Sequence, residues 1–339
     1  MEYCGMDLHQ TYSEICTMDE DGQVLERTRV LTREDRLERF FARRERMSVI
    51  MEAGGSSPWV ARLVRDLGHD VVVCHPRSLR AIATSTKKSD RYDAEILADL
   101  LRMDSGALAT SWVRSEGSQH LHNALRVRST LVESRTKMVN SVRSILRALG
   151  YVVKGARTDN FPEKVRQMEL PEEVFETVEP LLAQIDHLNE TIRQCEAKLR
   201  EWAEEMPVVK LLREIPGVGL IVALYFVALI DDPDRFITVR NIGAFLGLRP
   251  IMRASGGRSY YGRITRQGDR EMRRLLIQAA HALMRSKTPC YLQDWARELE
   301  ARKGKAKAMV ALARKLAVLM VRLWQNGESF IPYPNQKAA

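Results

Sequence analysis

The sequence has little that would tie it to a membrane, a disulfide framework or a metal–thiolate site. Its five cysteines, Cys4, Cys16, Cys74, Cys195 and Cys290, are scattered and contain no C-x-x-C pair. That spacing argues against a zinc site or a disulfide scaffold and fits a reducing cytoplasm. No stretch approaches the roughly 20 uncharged apolar residues of a membrane span, and the longest apolar run, 220–230, is too short. The opening MEYCGMDLHQ has no basic region ahead of an apolar core, so no secretion signal is expected. Histidine–cysteine clusters are missing too, which leaves carboxylates as the side chains to examine for metal chemistry.

What is present is a folded, basic chain of 339 residues, 45% hydrophobic, long enough for two or three domains. The net charge of +9 is unevenly spread: from Ile251 onward there are 18 Lys+Arg against 6 Asp+Glu, while the first 250 residues carry 35 against 38. A basic final third on a near-neutral body is the footprint of a polyanion-binding face. Arginine dominates its first part, and arginine is the better phosphate fork.

Along the chain, residues 3–8, 13–18, 23–31, 48–53 and 70–74 read as strands, with Asp21-Gly22 as a hairpin turn. Residues 33–46, 58–67 and 90–103 read as helices. The order β-β-β-α-β-α-β-α predicts a mixed α/β sheet in a first domain, 1–110. Residues 116–149 read as one long helix. Residues 161–206 are acidic, 12 Asp+Glu against 5 Lys+Arg, and place Leu181, Leu182, Ile185, Leu188, Ile192, Cys195 and Leu199 at heptad-like spacing. The middle region, 111–206, is therefore expected to be a coiled-coil linker or dimerisation element. The last region, 207–339, is expected to be helical. It opens with Ile215-Pro216-Gly217-Val218-Gly219 between apolar helices, the pattern of a helix-hairpin-helix, in which backbone N–H groups at Gly217 and Gly219 approach a DNA phosphate. A Gly- and Arg-rich loop then runs from Ala254 into a helix beginning near Asp269.

The stretch KKSDRYDAEIL, residues 87–97, sets two aspartates three residues apart where a helix begins. Ser89 or Asp90 serves there as an N-cap, with Asp93 in the first turn. Alternatively, Asp90 and Asp93 share one helix face and hold a divalent ion together. Asp7 and Glu52 both end strands, and in α/β sheets ligands gather beyond the carboxyl ends of strands. Two strand-end acids and a D-x-x-D helix start give four carboxylates, the set that two Mg²⁺ ions need while clamping a phosphodiester.

In this order, Asp7, Glu52, Asp90 and Asp93 resemble the DEDD set of RuvC-type resolvases, a ribonuclease-H-like fold. With Ile215–Gly219 and the Ala254-Ser255-Gly256-Gly257 stretch, the chain from about residue 3 to about 325 resembles the DEDD transposases of the IS one-ten and IS eleven-eleven insertion-sequence family, known as bridge-RNA-guided recombinases. The resemblance implies a RuvC-like catalytic domain and a C-terminal transposase domain whose serine, here Ser255, attacks a DNA phosphate to form a phosphoserine link. It implies Mg²⁺ (or Mn²⁺) on the four acids and double-stranded target and donor DNA. A structured non-coding guide RNA would choose the sites. It also implies a composite site within a homodimer and homotetramer, and a cytoplasmic, nucleoid-associated protein of bacteria or archaea. Lys87, Lys88, Arg126, Arg128, Arg143, Arg253, Arg258, Arg263 and Arg273 are the candidate nucleic-acid contacts. By loop chemistry alone, Tyr260 and Tyr261 are rival nucleophiles and Ser255 reads first as part of a Ser-Gly-Gly turn; the resemblance, not the loop chemistry, decides for Ser255. The alternative function is a junction nuclease that hydrolyses DNA with water at the four acids.

Overall fold

The computed structural model describes residues 1–75, 90–103, 110–255 and 258–334; the side chains of 90, 91, 253–255 and 258–261 lie outside that description. Two compact units result, 1–114 and 115–339.

The first unit is a five-stranded sheet in the order β3-β2-β1-β4-β5. Its strands are β1 (Tyr3–Leu8), β2 (Tyr12–Met18), β3 (Val24–Leu31), β4 (Ser48–Glu52) and β5 (Asp70–Cys74). β1, β2 and β3 run antiparallel, whereas β1, β4 and β5 run parallel. The predicted mixed sheet is therefore present with all five predicted strands. The β2–β3 turn works as the sequence requires: Gly22 adopts φ +83°, and the Asp19 carboxylate accepts from the Gln23 N–H at 2.8 Å.

Alternation along the strands divides the unit into two layers. Cys4 and Met6 of β1, with Val49 and Met51 of β4, face α1 (Glu34–Phe41) and α2 (Ser57–Asp66), burying Leu37, Phe41, Val60 and Val64. The opposite face receives α3 (Asp90–Met103). Tyr3, Ile50 and Cys74 meet its Leu97 and Leu101, while Cys16 and Met18 meet Ala94 and Ala98. The seat on β1 is Gly5, where an added Cβ would stand 2.0 Å from the Ala94 carbonyl oxygen and 2.5 Å from the Ala98 nitrogen. Only glycine lets this helix lie so close to the strand.

The second unit is helical. Two 33-residue helices, α4 (Glu116–Ala148) and α6 (Glu172–Glu204), pack along each other, with the short α5 (Phe161–Arg166) between them in sequence. The sequence suggested a single acidic segment from 161; instead Pro171 stands at the N-cap of α6 and separates it from α5. The heptad-like face of α6 is filled from within the chain: Val178, Leu182 and Ile185 pack on Val139, Val142, Leu146, Phe161 and Val165. A buried polar step interrupts this seam, where Arg135 donates to the Asn189 side chain at 2.8 Å and Asn189 donates to the Asp159 carbonyl at 3.0 Å.

Residues Leu199 and Ala203 of α6 share one core with α7 (Pro207–Arg213) and α8 (Leu220–Ile230). The 206/207 boundary expected from sequence thus falls inside this unit. α8, LIVALYFVALI, is buried on all sides from Val222 to Ile230, as a helix without a polar face must be. Around it lie α9 (Ile242–Phe245), α10 (Arg270–Arg285), α11 (Tyr291–Lys303) and α12 (Lys305–Asn326). Each large side chain buried here, such as Phe226, contributes about 1.5–3 kcal/mol. Between α9 and α10 stand two strands, β6 (Pro250–Ser255) and β7 (Arg258–Ile264), where the sequence suggested a loop. They form an antiparallel ribbon of their own.

Candidate active site

Asp7 and Glu52 occupy neighbouring positions on adjacent parallel strands. The printed register pairs Met6 with Met51, so one residue later Asp7 lies beside Glu52 at the carboxyl ends of β1 and β4. Strand parity puts both on the α3 face, the face of Gly5 and Ile50. α3 runs antiparallel to β1. Its C-terminal end lies at the start of that strand, where Leu101 meets Tyr3 and Arg102 reaches the Glu20 carbonyl. Its N-terminal end, with Asp90 and Asp93, consequently lies toward the Asp7–Glu52 rim.

The electrostatic setting is open. The Asp7 side chain is one-fifth exposed, and Glu52 and Asp93 are exposed. Neither Glu52 nor Asp93 has an arginine or lysine partner among the described residues, whereas the nearby Glu95 is paired with Arg27 at 2.7 Å. His9 Nε2 lies 3.1 Å from Asp7 Oδ2, and the His9 ring rests 4.9 Å from that of Tyr12. The donor set is all carboxylate oxygen, which suits a hard cation such as Mg²⁺. Among the described side chains no three potential ligands are yet drawn together for an ion, and the Asp90 carboxylate lies outside the description.

Two features of this face were not anticipated from sequence. Glu14, opposite Asp7 on β2, is buried, and its carboxylate accepts from Arg29 of β3. A glutamate in a strand reads as solvent-facing; the available signal was that Glu14 shares parity with Cys16 and Met18. Gly5 was the other omission.

Ser255 is the last residue of β6 and pairs with Arg258 of β7, so it stands at the tip of the ribbon. Arg253 and Arg258 lie on the same ribbon, whereas Lys87 and Lys88 lie outside the described residues. Arg263 is exposed on β7 and Arg126 on α4. Other candidate contacts have structural duties. Arg128 donates to Glu196 at 2.6 Å, and Arg143 donates to the Ala156 carbonyl at 3.1 Å while covering Phe161. Arg273 donates through Nη1 to the carbonyls of Leu246, Gln267 and Gly268, and burial pulls its pKa down. It clamps two crossing turns. There, a Cβ on Gly247 or Gly268 would stand 1.9 Å from the Gln267 oxygen or 2.1 Å from the Phe245 oxygen.

The 215–219 turn connects α7 to α8. Gly217, at φ +87°, is pressed onto α10, with an added Cβ falling 2.5 Å from the Ala279 oxygen. Gly219, the N-cap of α8, is exposed with open space around it. As expected, α10 starts at Arg270 behind Asp269, whose carboxylate accepts from the Met272 N–H at 2.7 Å. No helix among the described residues is long and apolar enough to cross a membrane.

Residues 4–150 match the DEDD transposase family model described as "Transposase", and residues 209–296 match the model described as "Transposase IS116/IS110/IS902 family". The chain is 28% identical to the transposase for insertion sequence element IS1111A of Coxiella burnetii, covering 96% of this chain and 90% of that protein. It is 29% identical to a probable family 20 transposase of Pseudomonas aeruginosa, covering 97% and 98%. It is also 29% identical to the transposase for insertion sequence element IS1328 of Yersinia enterocolitica, covering 92% and 93%.

Proposed function

Since the chain belongs to the DEDD transposases of the IS110 family, an enzyme family acting on DNA, we propose that it cuts and rejoins DNA through Ser255 together with Asp7, Glu52, Asp90 and Asp93. The observation that carries this reading is the placement of Asp7 and Glu52 side by side at parallel strand ends, with the Asp90 end of α3 brought to them over Gly5.

Asp7, Glu52, Asp90 and Asp93 would hold Mg²⁺ (or Mn²⁺), which when bound supplies Lewis-acid stabilisation of charge on the phosphate. The open carboxylates Glu52 and Asp93 are suited to receive such a cation, since no lysine or arginine among the described residues already neutralises them. In the transfer step the Ser255 Oγ forms a bond to phosphorus as its proton leaves. The P–O bond to the departing DNA strand breaks, and that strand's oxygen takes the electron pair and a proton. The result is a 5′-phosphoserine link that retains the bond energy for rejoining. The ribbon tip, with glycines at 256 and 257 in the sequence, suits close approach of a DNA backbone. Arg253, Arg258 and Arg263 on the same ribbon would offset the developing negative charge.

The N-terminus of α8 at Gly219 is a helix-hairpin-helix phosphate contact in this reading. A structured guide RNA pairs with target and donor DNA and supplies the sequence choice. The protein itself contributes sequence-independent backbone contacts, among them Arg126. The assembly is a homodimer or a homotetramer built from two dimers, with acids and serine from different protomers at each site.

The test is a protein–DNA adduct that survives denaturation. It should form with the wild-type protein, divalent metal, guide RNA and a matching duplex, and vanish in Ser255→Ala. Efficient strand cutting by Ser255→Ala without any adduct would show instead that water is the nucleophile, as in a junction nuclease.

A further inference from the structure

Beside the acid rim, on the same face of the sheet, lies a charged construction that the reaction outlined above leaves unused. Antiparallel pairing places Glu14 of β2 directly opposite Asp7, so the two side chains share the α3 face. The Glu14 side chain is only 3% exposed. Burying a carboxylate at the edge of a site that already gathers negative charge is expensive unless a partner is fixed beside it. That partner is Arg29, opposite Glu14 on β3. Its Nε and Nη2 converge on Glu14 Oε1 at 2.6 and 2.5 Å. Its guanidinium carbon lies 4.2 Å from the Tyr12 ring centroid, and Tyr12 in turn lies against His9, the neighbour of Asp7.

Arg29 is thus fixed by a buried charge and a ring face, while 55% of its side chain stays open to solvent. Elsewhere in this unit the ion pairs Arg33–Asp35 and Arg46–Asp70 have both partners exposed. Such pairs contribute little and position nothing. A planar guanidinium held in this way is preorganised for phosphate recognition. With strands about 4.8 Å apart, the Arg29 backbone lies two strands, on the order of 10 Å, from that of Asp7, a span of about three nucleotides of one strand at 3.4 Å each.

We propose that Arg29 contacts a DNA phosphate flanking the one held at the acid rim, and that Glu14 and Tyr12 are positioning residues for that arginine. The proposal rests on the reading that Asp7 and its neighbours receive DNA. A polyanion entering a ring of carboxylates needs a cation of fixed position nearby, and Arg29 is the arginine built into this face with a buried counter-charge beneath it.

The experiment measures equilibrium binding of a mixed-sequence DNA duplex to the full-length chain over a range of salt, alongside thermal melting. Each phosphate contact contributes about 0.9 to the slope of log affinity against log salt. Arg29→Gln should reduce that slope by about 0.9, and Arg29→Lys, which keeps the charge, should retain it while binding more weakly. A purely structural ion pair would lower the melting temperature of Arg29→Gln and leave the slope unchanged; that result overturns the proposal. Asp7→Asn tests the underlying reading separately through loss of strand cutting. If Asp7→Asn still cuts while Arg29→Gln loses its share of the slope, the reading of the rim fails and the contact stands. If Asp7→Asn is inactive and the Arg29→Gln slope matches wild type, the contact alone fails.

Discussion

Asp7 owes its position to Gly5, two residues before it, because α3 lies on β1 at that glycine. Filling the site with a methyl group forces helix and strand apart, an overpacking that costs about 1–3 kcal/mol or more. Gly5→Ala should therefore lose strand cutting and melt at a lower temperature, whereas Asp7→Asn should lose cutting and melt like the wild type. Equal melting of Gly5→Ala and wild type would show that α3 does not bear on β1 as described. The cysteines test the same core from another side. Burial pushes the Cys16 and Cys74 thiols up to about 11 and Cys4 further still, while Cys195 is half-buried. The thiolate is the reactive form, so iodoacetamide at neutral pH should label Cys195 first and spare the buried Cys4, Cys16 and Cys74 until the chain unfolds. The stability consequence has a definite sign. Below the ordinary thiol value both states are protonated and nothing changes. As pH rises from about 9 toward about 11, the unfolded chain ionises while the buried thiols cannot, so stability falls across that window. Alkaline melts that stay flat to pH 11 would contradict the burial of these thiols.

At the scale of elements, the sequence made the sheet legible and concealed part of the site. The strands announce themselves because apolar residues alternate or run together and Asp-Gly marks the turn, and all five occur where that pattern placed them. The strand-end acids and the D-x-x-D helix start were visible for the same reason. The β6–β7 ribbon was not. Its residues, PIMRAS and RSYYGRI, mix polar and apolar types with a glycine in the second strand, so no clean period-two pattern appears. Glu14 was hidden by its own chemistry, since only its partner on β3 makes its burial tolerable. The heptad face of α6 was legible, but its occupant was not: a periodic stripe shows that a helix needs a partner without saying which one. Here α4 supplies it, so truncating the seam should destabilise the chain itself. Ile185 is fully buried among Val139, Val142 and Leu182. Ile185→Ala should lower the stability of this unit by about 2–5 kcal/mol in urea unfolding, at the same value across protein concentrations. A loss that appears only at low concentration would instead assign this face to contacts between chains.

At the scale of the whole molecule, the four acids belong to the unit 1–114 and Ser255 belongs to the unit 115–339. The proposed chemistry needs one group from each at a single phosphate, and whether both come from one chain is decided by mixing two inactive variants. Asp7→Asn keeps its serine and loses an acid; Ser255→Ala keeps its acids and loses the nucleophile. If each site takes its acids from one protomer and its serine from another, a mixed dimer contains one site with both defects and one site with neither, so activity returns on mixing. If each chain completes its own site, every site in the mixture carries a defect and the mixture stays dead. The reading proposed here expects recovery of adduct formation after the two proteins are unfolded and refolded together, to about one quarter of the wild-type level. That fraction follows from equal mixing: half of the dimers are mixed, and each of those has one intact site of two. Recovery should also fall with dilution below the concentration at which dimers form. Absence of adduct in a mixture shown to contain mixed dimers would place acids and serine in the same chain, and would require the two units of one protomer to meet around the scissile bond.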